Sequence, residues 1–159
     1  MNPLAGLTNL KQLYLGSNNI QQNFSPLAGL TNLTSLWLGN NRISNVNPLA
    51  GLTNLTELYL SYNSISDIDP LTGLTNLTSL WLSYNRISDI NGLVGGLTNL
   101  TELYLDNNWI FYINALQGLT NLTVLDLDNN WISDIWPLVY NLGIGAGDHV
   151  HLRSNPLNY

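Results

Sequence analysis

The 159-residue chain predicts an α/β solenoid, in which short parallel strands of stacked coils form a sheet and 3₁₀ or irregular connectors lie on the opposite face. The pattern Leu-x-x-Leu-x-Leu-x-x-Asn recurs seven times, about 22 residues apart, and its last copy is the most divergent. A period of this length is typical of repeat architectures. Because only 9% of the residues are charged and leucines dominate each repeat, we expect neighbouring coils to bury their leucines against one another.

The strand of each coil is predicted by the alternation that precedes the repeated asparagine. In Leu58-Tyr59-Leu60 the leucines point inward and Tyr59 points outward, as expected for a half-buried strand. Where the strand ends, the asparagine side chain offers amide donors and a carbonyl acceptor to turn backbone that would otherwise be buried unpaired. We therefore interpret this column as structural: Asn18, Asn41, Asn63, Asn85, Asn108, Asn130 and Asn155.

The connector of each coil begins with two isoleucines, such as Ile65 and Ile68, which are expected to turn into the core. The text that follows, Pro-Leu and then Gly-Leu-Thr-Asn-Leu, leaves room for little more than one turn of 3₁₀ helix. Its Asn-x-Thr sequons recur at one repeat position, which repetition explains without glycosylation. The spacing lengthens by one residue at 21–25 and at Gly95-Gly96, and both insertions fall outside the predicted strands.

Both ends of the chain depart from the repeat. In residues 138–159 a glycine-rich sequence around Gly143 and Gly147 replaces the usual connector, and we expect this segment to cap the stack. The chain starts in mid-repeat, so the first coil lacks the polar unit that terminal repeats need for solubility. These observations predict one domain over residues 1–159, with about seven repeats, a C-terminal cap at 138–159 and no N-terminal cap.

The repeat pattern, together with flanking text such as Pro70-Leu71-Thr72-Gly73-Leu74-Thr75-Asn76-Leu77, resembles the 22-residue, internalin-like class of bacterial leucine-rich-repeat proteins. This resemblance implies a horseshoe whose parallel sheet lies on the concave face and binds a protein partner. It also favours an extracellular or cell-surface location, although the chain contains no signal peptide.

Composition argues against several other classes of partner. The formal net charge is −6, and the four Lys and Arg residues are scattered, whereas nucleic-acid binding needs a basic stripe. No apolar run approaches the roughly 20 residues of a spanning helix, so membrane insertion is not expected. Without cysteine there is neither a disulfide nor a thiolate metal site, and no cofactor is predicted.

The outward strand positions do not pack in the core, and we expect binding there. Five adjacent strands carry aromatic rings about 4.8 Å apart, with small residues beside them that are expected to leave the ring faces open. Tyr62 and Tyr84 add two rings further along their strands. Tyr and Trp dominate binding hot spots, whereas the alternative is a ladder that only steadies the sheet. We call the five rings the ring column: Tyr14, Trp37, Tyr59, Trp81 and Tyr104.

Carboxylates accompany the ring column and leave the type of ligand open. An aromatic platform serves proteins and carbohydrates alike. A sugar site would also use carboxylates and amides, and Glu57, Glu102 and Asp106 supply the carboxylates. The family resemblance favours a protein.

The last strands carry a charged cluster, with Asp126 and His151 in the continuation of the ring column and Asp128 beside them. Carboxylates with imidazole can bind a divalent ion. The simpler interpretation pairs Asp128 with Arg153 and Asp126 with His151, and it is the one we favour. No nucleophile with a positioned base is evident, so we predict no catalytic residue, no metal ligand and no enzyme.

A second apolar group lies off the sheet, where aromatic residues replace the polar residues that follow the asparagine in other repeats. If Trp109 and Trp131 stack on adjacent coils, they form an exposed patch of the kind that marks an interface. The alternative is local packing around the Gly96 insertion and the cap. We call this group the lateral patch: Trp109, Phe111, Tyr112, Trp131 and Trp136.

The sequence therefore favours a non-enzymatic protein-binding module, with Tyr59, Trp81 and Tyr104 at the centre of its binding surface. Two alternatives stay open. One is a carbohydrate-binding surface adhesin. The other is a self-assembling or designed structural repeat protein that forms a homo-oligomer through its uncapped N-terminal edge or the lateral patch.

Overall fold

The computed structural model describes residues 4–21 and 25–158, so the insertion predicted at 21–25 falls largely outside the described residues. Within these ranges the chain forms one open parallel sheet of seven strands, whose spatial order follows the sequence. The predicted solenoid is confirmed. The strands are β1 (Gln12–Tyr14), β2 (Ser35–Trp37), β3 (Glu57–Tyr59), β4 (Ser79–Trp81), β5 (Glu102–Tyr104), β6 (Val124–Asp126) and β7 (His149–His151).

The connectors are short, as the repeat length requires. Asp67 Oδ1 accepts the backbone N–H of Asp69 at 2.9 Å, an Asx turn that leads into a 3₁₀ segment whose Pro70 occupies a position that needs no N–H partner. Other coils repeat this device. The described connectors contain 3₁₀ segments at Ser25–Gly29, Asn47–Leu49, Asp69–Leu71, Asn91–Leu93 and Asn114–Gly118, and a four-residue helix, α1 (Trp136–Val139).

The core is a continuous column of leucine and isoleucine that runs through the stack. Leu58, Leu60 and Ile65 are fully buried, and Ile68 is 1% exposed, which confirms the inward positions predicted from the repeat. The buried cluster extends from Leu27 to Ile132, and leucines of the first and last coils pack against it only partly buried. Burial is therefore complete in the central coils and incomplete at both ends of the described chain.

The repeated asparagines join neighbouring coils, as the sequence predicts. Asn85 Nδ2 donates to the carbonyl oxygens of Leu60, in the preceding coil, and of Leu82, each at 3.0 Å. Asn85 Oδ1 accepts the backbone N–H of Ile65 at 2.9 Å. The N–H of Ile65 has this side chain as its partner, and the carbonyl oxygens of Leu60 and Leu82 each accept a second asparagine side chain as well. The same bonds recur in the coils of Asn41, Asn63, Asn108 and Asn130.

Two further ladders of side-chain hydrogen bonds run through the stack. The sequence pattern does not reveal either of them. Asn76 Nδ2 donates to the carbonyl oxygen of Thr53 in the preceding coil at 2.8 Å, and Thr78 Oγ1 donates to the carbonyl oxygen of Thr56 at 3.1 Å. The sequon asparagines are therefore structural side chains. Equivalent bonds are formed by Asn32, Asn54, Asn99 and Asn121 and by Thr34, Thr56, Thr101 and Thr123.

The Gly95-Gly96 insertion lies outside the strands, as predicted. Gly95 adopts φ +72°, a left-handed conformation that glycine adopts without steric cost. A Cβ on Gly96 would lie 2.3 Å from the carbonyl oxygen of Thr72, so the backbone can pass here only without a side chain. The strand register continues across it, with Ser79 opposite Glu102. In the described ranges, no helix is both long and apolar enough for a membrane span.

Candidate functional site

The strand register brings the ring column together. Tyr14 lies opposite Trp37, Trp37 opposite Tyr59, Tyr59 opposite Trp81, and Trp81 opposite Tyr104. The neighbouring positions of each strand are leucines that face the core, so the rings face solvent on the other side of the sheet. The column continues into Asp126 and His151 on β6 and β7, as the sequence alignment of the repeats predicts.

The rings of the column stack on one another. Ring centroids lie 3.6 Å apart for Trp37 and Tyr59 and 3.8 Å apart for Tyr59 and Trp81. The expectation of open ring faces is therefore wrong at the centre of the column. Strands are about 4.8 Å apart, close to a stacking separation, so rings on successive strands lean together and cover each other's faces. They present mainly their edges to solvent.

Spacing is wider at the two ends of the column. Tyr14 and Trp37 are 5.4 Å apart and tilted by 44°. Trp81 and Tyr104 are also 5.4 Å apart, although their planes differ by only 9°. Offset geometries of this kind are favourable for aromatic pairs. The two end pairs nevertheless leave more of each ring face exposed between them than the tightly stacked central pairs do.

Tyr62 and Tyr84 form a second stack beside the column, with centroids 4.3 Å apart and planes within 9°. Both residues have left-handed backbone, at φ +59° and +55°. The equivalent positions of the other coils hold the small polar residues Ser and Asn, and the left-handed conformation costs an ordinary side chain about 1–2 kcal/mol. Two exposed rings are thus kept at positions where the backbone disfavours them, a pattern that is common at functional sites.

The tyrosines of the column lie in a negative environment. Burial, followed by the charges of Glu57 and Glu102, raises the pKa of Tyr59 above its ordinary value. Burial, followed by Glu102 and Asp126, raises the pKa of Tyr104. Tyr62 is also shifted upward in pKa, by desolvation first and by Tyr84 second. The solvent side of the sheet therefore combines aromatic rings with carboxylates.

Asp106 and Asp128, next to the column, are held by neighbouring groups. Ser83 Oγ donates to Asp106 Oδ1, and Asn107 Nδ2 donates to Asp106 Oδ2 at 2.8 Å. Asp128 accepts Arg153 Nε at 2.8 Å and the Arg153 backbone N–H at 2.6 Å. Each carboxylate thus uses both of its oxygens.

Asp126, Asp128 and His151 bring possible ligand atoms within 4.8 Å of one another. Asp126 accepts the backbone N–H of Asp128 at 3.0 Å, and its other oxygen lies 3.3 Å from His151 Nδ1. Both pairs predicted from the sequence are present, Asp128 with Arg153 and Asp126 with His151. A cation would have to displace these contacts.

The lateral patch is exposed, with between 48% and 81% of each side chain accessible. Within the described residues Trp131 stacks on Phe111 rather than on Trp109, with centroids 6.2 Å apart. Trp136 stacks on Tyr140, 5.7 Å away. Tyr140 was not among the predicted residues, although its position four residues after Trp136 at the end of α1 is a signal for such a contact.

Comparisons with known proteins agree with this architecture. The family model for Leucine Rich repeats (2 copies) matches residues 3–51, 53–95, 75–110 and 98–139. Internalin C2 of Listeria monocytogenes is 39% identical with a TM-score of 0.91, over 98% of this chain and 67% of that one. No curated protein sequence matches the chain significantly.

Two further solved structures are similar over a smaller share of their own length. An internalin from the same bacterium is 32% identical with a TM-score of 0.81, and the match covers 99% of this chain and 52% of that one. A leucine-rich-repeat protein of Leptospira interrogans is 26% identical with a TM-score of 0.89, over 99% and 41%. The chain thus spans from about two thirds to two fifths of these relatives.

Proposed function

Because the chain belongs to the leucine-rich-repeat family and is internalin-like over nearly all its length, we propose that it is a non-enzymatic protein-recognition module. The ring column is its docking surface, with Tyr59, Trp81 and Tyr104 at the centre. An extracellular or cell-surface location is part of the same proposal and rests on the resemblance to internalins. The family supports a protein-interaction role.

One observation carries the choice of surface. Five consecutive strands place Tyr or Trp at the same register position on the side of the sheet that the core does not use. Packing of the solenoid requires none of these rings, since the buried leucines supply the core. Tyr and Trp provide large, rigid contact areas and are enriched among residues that dominate binding energy.

The stacking geometry favours a protein over a carbohydrate. A sugar ring packs against the open face of an aromatic side chain, and the faces of Tyr59 are covered at 3.6 and 3.8 Å by Trp37 and Trp81. A row of ring edges with polar groups beside it suits the mixed apolar and hydrogen-bonding surface of a polypeptide.

Selection of random displayed peptides on the immobilised chain tests this proposal. We expect Trp81→Ser to weaken the selected binders by about 30-fold or more, as for a hot-spot residue. Trp131→Ser in the lateral patch is the control, because it removes the same type of side chain from a more exposed position outside the ring column, and it should leave affinity unchanged. The reverse result would assign recognition to the lateral patch and overturn the proposal.

Self-assembly is a second candidate function, favoured by the exposure of the lateral patch. Light scattering across a concentration series separates it from recognition by single chains. A recognition module gives the mass of one chain at every concentration. A mass that rises with concentration, and returns to one chain in Trp131→Ser, would make assembly the function.

A further inference from the structure

Two sets of identical side chains occupy equivalent positions on the sheet. Ser35 lies opposite Glu57, and Trp37 follows two residues after Ser35. Ser79 lies opposite Glu102, and Trp81 follows two residues after Ser79. We call them the first set (Ser35, Trp37, Glu57) and the second set (Ser79, Trp81, Glu102). The first set is an internal reference for the second, because residue types and register are the same.

The first set is closed by its own hydrogen bonds. Trp37 Nε1 donates to Ser35 Oγ at 3.1 Å, and Ser35 Oγ donates to Glu57 Oε2 at 3.0 Å. The indole, the hydroxyl and one carboxylate oxygen are therefore all occupied. The two rings at this point, Trp37 and Tyr59, are also tightly stacked, with centroids 3.6 Å apart.

The second set is open. In the part of the chain that the structure describes, the indole N–H of Trp81, the hydroxyl of Ser79 and the carboxylate of Glu102 have no hydrogen-bond partner. None of these atoms is buried, so all three are available to a ligand. The adjoining rings, Trp81 and Tyr104, stand 5.4 Å apart. One indole donor, one hydroxyl and one carboxylate are thus presented on adjacent strands at the Trp81–Tyr104 end of the ring column.

The charge around the second set is negative. Glu57 and Glu102 flank Ser79 on the neighbouring strands β3 and β5, about 10 Å apart, which is twice the strand spacing. Of the basic residues within the described ranges, Arg153 is held by Asp128, and Lys11, Arg42 and Arg86 lie outside the strands. The raised pKa of Tyr59 and of Tyr104 reflects the same carboxylates after burial.

We propose that the second set binds a lysine or arginine side chain of the protein partner, so that the partner docks through a basic segment. This inference rests on the proposed function. The cation of the partner donates to Glu102 and Ser79, and its aliphatic stem lies against the Trp81 and Tyr104 rings. The indole N–H of Trp81 donates to a backbone carbonyl of the same segment. Aromatic neighbours add cation–π attraction, and the first set lacks these free groups.

Parallel selections of random displayed peptides on the wild-type chain, Glu102→Gln and Glu57→Gln test the inference. We expect lysine and arginine to be enriched over the starting library on the wild type and on Glu57→Gln, and not on Glu102→Gln. For a single basic binder, Glu102→Gln should lower affinity about tenfold or more, because it removes the carboxylate from a charge-assisted hydrogen bond. Glu57→Gln removes the same charge from the closed set and should have a smaller effect.

The outcomes separate this inference from the proposed function. Binders that need Trp81 but show no basic enrichment, or that bind Glu102→Gln equally well, would overturn the inference and leave the docking surface in place. Binders that do not need Trp81 would overturn both. Affinity of the basic binder should also fall as NaCl is raised, and superimposable unfolding curves of the three chains show that the variants retain the fold.

Discussion

At the residue scale, stability depends on side chains that hydrogen-bond backbone groups of the next coil. Asn85 is 7% exposed and satisfies the carbonyls of Leu60 and Leu82 and the amide of Ile65. Asn76 makes one bond, to Thr53, from a more exposed position. The two ladders thus contain the same residue type with different burial and different numbers of backbone partners.

We expect Asn85→Ala to lower the free energy of unfolding by about 3 kcal/mol, because it leaves the N–H of Ile65 without a partner and removes one of the two asparagine bonds to each of the carbonyls of Leu60 and Leu82. Asn76→Ala is the matched control and should cost about 1 kcal/mol, the value of a typical single bond. Urea unfolding followed by circular dichroism measures both. Equal losses would show that the number of backbone partners does not set the contribution.

Tyr62 and Tyr84 offer a second residue-scale test. Their left-handed backbone lowers the stability of the fold, whereas the stacking of their rings raises it. The double variant Tyr62→Asn with Tyr84→Asn relieves the backbone at two positions and loses one ring pair. We expect it to be more stable than the wild type by about 1 kcal/mol. A less stable double variant would mean that the stack outweighs the backbone cost. The single variants complete a thermodynamic cycle that gives the stacking energy.

The role of the strand-end asparagines is readable from the sequence, whereas that of the sequon asparagines is not. Asn85 follows a strand whose end must leave backbone groups unpaired, so its partners are implied. Asn76 bonds to Thr53 because the connectors of neighbouring coils lie close enough for the Asn76 side chain to reach the Thr53 carbonyl. Periodicity shows that these residues repeat but not what they contact.

At the scale of the elements, the strands set the register and the connectors set the fit between coils. The register of every described pair follows from the aligned repeats, including β6 with β7. The stacking of the rings does not follow, because the lean of each ring depends on the ring beside it. The sequence therefore predicts which rings share the column, and only the structure shows that Tyr59 is covered on both sides.

The ring column should make stability fall at alkaline pH. The pKa values of Tyr59 and Tyr104 are raised above the ordinary 10.0, so above about pH 10 the native state holds protons that the unfolded chain has lost. The free energy of unfolding must then decrease as pH rises. Replacing both residues by Phe should flatten this decrease. Urea unfolding from neutral pH to above pH 10 measures it, and an unchanged slope in the double variant would contradict the assignment.

We propose that the C-terminal segment, which the structure describes from residue 138 to residue 158, forms the cap of the stack. Asn141 is buried and donates to the carbonyls of Leu116 and Leu119 at 2.7 and 3.1 Å. Gly143 passes so close to the preceding coil that a Cβ would lie 1.7 Å from the carbonyl oxygen of Thr120. The segment therefore contacts the connector between β5 and β6 through backbone as well as side chains.

We expect Gly143→Ala to destabilise the chain by about 1–3 kcal/mol, because the added methyl group collides with backbone that cannot rotate away. Gly145→Ala is the control, since nothing lies within 4 Å of its Cβ position, and it should change stability little. Thermal unfolding of both variants measures the two changes in stability. Similar behaviour of the two would mean that the segment moves freely against Thr120 and does not seal the core.

At the scale of the whole molecule, the coils form one core whose burial is greatest in the middle. Central leucines such as Leu58 and Leu80 are fully buried, whereas Leu13 in β1 and Val150 in β7 are partly buried. Each coil contacts only its neighbours, so stability is approximately a sum of coil and interface contributions. The end coils have one such interface and the central coils have two.

Hydrogen exchange should follow this gradient. We expect backbone amides of β3 and β4 to exchange most slowly and those of β1 fastest, since local opening needs less free energy where fewer apolar contacts are lost. Exchange followed by NMR measures the protection of each strand. Uniform protection along the stack would indicate that the chain opens only as a whole.

The three ladders also bear on how such a chain evolves. Every described boundary between central coils uses the same asparagine and threonine bonds in the same register. Unequal recombination within the gene can therefore add or remove a coil and restore the same boundary on both sides. Each event would lengthen or shorten the row of aromatic edges by one step of about 4.8 Å. On the proposed docking surface, copy number would then set the length of the contact with a partner, and point substitutions in the row would adjust which partner it fits.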